Sequence, residues 1–149
     1  MKKIIIILIL SFCSCKVQKT NEGDIKNLVY AIDNESIRIT FNYIAKYSID
    51  EKANYILNLN NNRKLNYLFE NLEEEDKIII SHILLTKILE PNKDNFTIEN
   101  IQDDKGEIQS VILIFNNLKC KYVGNKLKIL DNNNTDAISN YWKNKLKME

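Results

Sequence analysis

Apolar residues recur along this chain with two different periods, and the switch between them divides it. Ile25, Leu28, Val29 and Ile32 fall at i, i+3, i+4 and i+7, the spacing that gathers side chains on one face of a helix. Ala53, Ile56 and Leu57 predict a further helix ended by the Asn run 60–62, and Leu65, Leu68, Phe69 and Leu72 predict another. Between 74 and 89, Ile78, Ile79, Ile80, Ile83, Leu84, Leu85, Ile88 and Leu89 cover most of a helix circumference, which predicts a central and largely buried helix. Asn71 with Glu74 three residues on reads as its N-cap and capping-box partner, and Pro91 lies just past its end.

Residues 36–48 fit both periods. Ile37, Ile39, Phe41 and Tyr43 alternate as a strand does, whereas Ile37, Phe41, Ile44 and Ser48 step as a helix does. Ala45 and Tyr47 extend the helical period and no hairpin turn signal follows, so a helix is expected here.

Beyond Pro91 the period falls to two. Asp103-Asp104-Lys105-Gly106, Asn116-Asn117 and Gly124-Asn125 are turn signals between β-rich runs at about 96–102, 107–115, 118–123 and 126–130. These predict a four-stranded antiparallel meander. In Val111–Phe115 both faces are apolar, so that strand is expected to be central and covered on both sides. A closing helix from about Thr135, capped by Asn134, turns Ile138, Tyr141, Trp142 and Leu146 inward. The fold class is therefore α+β, with about five N-terminal helices, the meander and a C-terminal helix in one domain, 24–149. NESIRITFNY and NNNRKLNYLF are faintly alike, but two weak copies do not make a solenoid.

The first residues break this picture. Lys2 and Lys3 precede the uncharged run Ile4–Leu10, and small and polar residues follow. That is the layout of a secretory signal, too short to span a bilayer, which needs about 20 apolar residues. Cys15 follows Ser14, and here the stretch resembles a bacterial lipoprotein signal, although Phe12 stands where leucine is usual. The resemblance implies cleavage after residue 14, lipidation of Cys15 and a polar tether over 15–23. It also implies an exported protein anchored on the periplasmic or outer-surface face of a membrane. An ordinary cleaved signal is the simpler alternative. With Cys13 removed and Cys15 blocked, Cys120 would be the one free thiol, so no disulfide could staple the domain.

Charge and composition narrow the chemistry. Without Lys2 and Lys3 the chain holds 19 basic and 20 acidic residues, a balance that does not point to nucleic acid. The acidic run Glu73–Asp76 suits the first turn of a helix better than a cation site, which needs six or more converging oxygens. His82 is the only histidine, and no GxSxG or HExxH sequence supplies it with partners. On so apolar a helix it reads as a hydrogen-bonded, partly buried side chain. GxGxxG and GxxxxGK[ST] are absent, and no cofactor, metal or catalytic residue is implied.

Lys119, Lys121, Lys126 and Lys128 alternate with apolar residues across the Gly124-Asn125 turn, so all four are expected on the solvent face of one hairpin. Residues 118–149 carry seven lysines against three acids, while 70–107 carry eleven acids against four lysines. The lysines are either a solvated sheet face guarding an edge strand or a docking surface for an anionic partner. The expected function is a non-catalytic binding module, immunity- or inhibitor-like or an envelope-interaction protein, meeting an unidentified protein partner. The alternative is a cell-envelope hydrolase using Asp/Glu carboxylates.

Overall fold

The structure is a computed structural model, and it describes residues 21–41, 45–94, 96–115, 118–123, 126–130 and 132–146. The expected signal, Cys15 and most of the expected tether lie outside the described residues, as do the turn residues 116–117 and 124–125. Mixed helix and sheet form the domain: α1 (Glu22–Tyr30), β1 (Ile37–Phe41), β2 (Ala45–Ile49), α2 (Glu51–Asn58), α3 (Arg63–Glu70) and α4 (Ile78–Leu89) come first. Then follow β3 (Phe96–Gln102), β4 (Ile108–Phe115), β5 (Leu118–Val123), β6 (Lys126–Ile129) and α5 (Asn132–Leu146). Short 3-10 turns sit at Asn34–Ser36, Asn71–Glu73 and Pro91–Lys93. This agrees broadly with an α+β class.

The apolar stripes are buried as their spacing requires. Ile25, Val29 and Ile32 of the first stripe are fully buried, as are Ala53 and Ile56 on α2 and Leu68 on α3. Helix α4 is buried from Ile78 to Thr86, polar Ser81, His82 and Thr86 included, so its flanks are covered by neighbours all round. Four strands pair antiparallel in the order β3-β4-β5-β6, within a residue of the expected runs.

Residues 36–48 are not a helix. β1 and β2 pair antiparallel with Ile37 opposite Ile49 and Ile39 opposite Tyr47, so four α-helices precede the larger sheet. The alternation Ile37, Ile39 and Tyr47, Ile49 serves the core: Tyr47 sets its ring edge-on against Phe96 and Phe115 at about 5 Å. Packing on those aromatics decides between two periods that locally tie. The two look-alike stretches are thus a hairpin strand and helix α3, not copies of one unit.

Helix α4 also begins later than its sequence suggests. Asn71 does not cap it: its amide is buried and donates to the Val29 carbonyl at 2.9 Å, tying α3 to α1. The cap comes from far away. Asn34 Oδ1 accepts from the Ile79 and Ile80 amides, both at 3.1 Å, while Asn34 Nδ2 donates to the Glu75 carbonyl at 3.0 Å. Two of the orphan amides that open any helix are satisfied this way. At the other end of the chain, α5 starts at Asn132, so Asn134 lies inside the helix rather than at its N-cap position. Trp142 and Ile138 face inward as expected, but Tyr141 keeps 38% of its surface exposed and presents its hydroxyl to Glu90.

Candidate functional site

The register of the larger sheet sorts its side chains onto two faces. Phe96, Leu113, Phe115, Leu118, Cys120 and Leu127 point to the helices and belong to the core or pack on it. On the outer face one crosswise row runs Glu99, Ile112, Lys121, Lys128 from β3 to β6, and the next holds Thr97, Ile114 and Lys119. Lys126 lies on the same face at the start of β6, and Ile101 stands on it at 42% exposure. Ile112 and Ile114 are half-buried yet lie outside the core cluster and the residues packed against it. The expected cover on this strand's outer face is therefore not seen among the described residues.

The four lysines are thus brought together, though not in one electrostatic setting. Lys126 pairs with Glu35 at 2.6 Å, which holds the Glu35 carboxyl below its ordinary range through that hydrogen bond and charge. Among the described residues, Lys119, Lys121 and Lys128 form no ion pair. Lys121 and Lys128 sit directly opposite each other on adjacent strands, an arrangement that works against folding because like charges repel at that distance.

Beside β6 lies a cleft of about 340 Å³ with Asp33, Glu35, Glu75 and Asp76 on one side and all of Lys126–Ile129 on the other. Its acidic side is built from two turns held by the same Asn34 that caps α4. Asp33 Oδ1 accepts from the Glu35 amide at 2.8 Å, so that carboxylate shapes its own turn. Among the described residues no group of His, Cys, Asp and Glu converges as metal ligands would.

His82 and Cys120 are both engaged in packing. His82 is 1% exposed; its Nε2 faces the Phe115 carbonyl at 3.0 Å, and its Nδ1 accepts from Trp142 Nε1 at 3.0 Å. A carbonyl only accepts and an indole N–H only donates, so the ring carries its proton on Nε2. Cys120 is buried on the core face of β5, and burial pushes its thiol up to about 12, far from a reactive thiolate.

The acidic run Glu73–Asp76 spans a 3-10 turn and the residues before α4, not that helix's first turn. Glu73 pairs with Lys143 of α5 at 2.8 Å. A stronger polar group, invisible to motif reading, is Glu90 at the end of α4. Burial alone would push its carboxyl up, but hydrogen bonds from Lys145, Tyr141 and Lys93 outweigh that and hold it at about 2. No spacing rule marks Glu90, Asn34 or Glu99, because each acquires its setting from a segment distant in sequence. No family model, curated protein or solved structure matches this chain.

Proposed function

We propose that this chain is an exported lipoprotein, tethered through Cys15, whose domain is a non-catalytic binding module. The domain reads as a helical layer backing a four-stranded meander, with the outer sheet face turned toward an anionic partner. One observation carries the reading: Lys119, Lys121 and Lys128 share that face without carboxylate partners among the described residues, and two of them oppose each other. An arrangement that costs folding energy is explained when an external anion neutralises it. The apolar Ile112 and Ile114 beside the lysines supply the water-excluding centre that such an interface needs.

The hydrolase alternative has the cleft's carboxylates in its favour, but Glu35 is shifted downward, the wrong direction for a general acid. Reversing Lys119, Lys121, Lys126 and Lys128 to Glu tests the binding reading. Partner capture from membranes should fall with the variant and, for the wild type, with added salt. Undiminished, salt-insensitive capture by the variant would reduce the lysines to a solvated face.

A further inference from the structure

The outer sheet face carries both signs of charge in a fixed order. Glu99 on β3 and Lys121 on β5 flank Ile112 of β4 in one row, at equal spacing to either side of it, because adjacent strands lie about 4.8 Å apart. Thr97 and Lys119 flank Ile114 in the same way. Among the described residues neither Glu99 nor Lys121 forms an ion pair. The face therefore carries one carboxylate, Glu99, on one flank, isoleucines along its middle strand and lysines on the other flank.

Such a pattern is complementary to itself. A two-fold axis laid along β4 turns the sheet over and exchanges β3 with β5. Ile112 and Ile114 then meet their own counterparts, and Glu99 of each copy meets Lys121 of the other. Two equivalent opposite-charge contacts arise from one symmetry operation, around a shared isoleucine seam. An anionic lipid surface would attract the lysines equally well, but it would leave Glu99, in the same row as Lys121 and Lys128, facing like charge.

We infer that the outer face of the four-stranded sheet is a self-association surface, and that its partner is a second copy of this chain packed face to face about β4. This rests on the docking reading above and names its occupant: the anion that meets Lys121 is Glu99 of the other copy. The three strands that overlap offer a modest contact, so the pair belongs at the small end of interface sizes and is reversible.

The test uses the full chain in its own cells. Ile112→Cys places a thiol beside the axis, and mild oxidation should give a disulfide-linked dimer absent from the wild type, whose Cys120 is buried and whose Cys15 is blocked by the proposed lipid. Charge reversal then separates the signs. Glu99→Lys alone and Lys121→Glu alone should each reduce cross-linking roughly tenfold, since each sets like charges face to face. Co-expressed, the two variants should cross-link with each other, because every facing pair is again opposite in sign, and the chain carrying both changes should self-associate once more. Absence of the Ile112→Cys dimer overturns the inference, as does cross-linking indifferent to these reversals. If the chain stays monomeric while the lysine-reversed variant loses capture of another protein, self-association falls and the docking reading stands. If phosphatidylglycerol vesicles bind the wild-type chain and no dimer forms, the face serves lipid and the self-association inference is overturned.

Discussion

Replacing His82 by Leu should destabilise the domain by roughly 2–6 kcal/mol, and about half of that loss should depend on Trp142. The ring of His82 connects three elements: α4, which carries it, the end of β4 through the Phe115 carbonyl, and α5 through the Trp142 indole. Leu fills a similar volume but accepts no hydrogen bond, so the Trp142 N–H and the Phe115 carbonyl both lose a buried partner. Each loss costs about 1–3 kcal/mol, because the group stays desolvated with nothing in return. Trp142 is fully buried, so water cannot step in. Changing Trp142 to Phe removes the indole donor, and in that background His82→Leu should cost about 1–3 kcal/mol less. Urea unfolding of the four chains, followed by circular dichroism, gives the coupling directly. A coupling near zero would refute the reasoning, as would a His82→Leu chain as stable as the wild type. A catalytic histidine, by contrast, would leave stability nearly unchanged when replaced.

Other consequences follow from the same contacts. Glu90 holds its carboxyl at about 2 against an ordinary 4.5, so its stabilisation, roughly 3 kcal/mol, is fully present above pH 4.5 and is lost as pH falls toward 2. Glu90→Gln should flatten stability over that window, as acid titration of the unfolding midpoint would record; an unaltered acid limb would contradict it. Asn34→Ala should cost about 1–2 kcal/mol, a large effect for a turn residue, because the Ile79 and Ile80 amides lose their acceptor. Equilibrium unfolding measures it, and a loss below a few tenths would mean that water replaces the cap. Cys15→Ser should move the chain from the membrane to the soluble fraction and abolish labelling by a fatty-acid analogue; retention and labelling together would contradict the tether.

What could be read from the sequence, and what could not, divides by the reach of the interactions. The four β-runs after Pro91 were legible because Gly106, the Asn pair 116–117 and the Gly-Asn pair 124–125 punctuate a period of two. Gly106 takes φ +80, a conformation open to glycine at little cost, which is why that turn announces itself. Helices α1, α2 and α3 were legible from their stripes. The β1–β2 hairpin was not, because Ile37, Phe41 and Ile44 satisfy a helical spacing as well, and only Tyr47 packing on Phe96 and Phe115 breaks the tie. The caps failed for a related reason: Asn71 has the right type at the right place, yet Val29 across the core claims its amide, and Asn34 does the capping from 45 residues away. The lysine face was visible from simple alternation. Its acidic flank at Glu99 was not, since only the β3–β4 and β4–β5 registers place Glu99 and Lys121 on either side of Ile112.

The central claim is that partners meet this domain on its outer sheet face. A photo-cross-linking amino acid placed at Lys119 on β5, and separately at Tyr55 on α2, where half the side chain is exposed, tests it most directly in the full chain in cells. The account predicts adducts from position 119 that weaken with added salt, and none from position 55. Adducts from position 55 with none from 119 would place the contact on the helical side and contradict it.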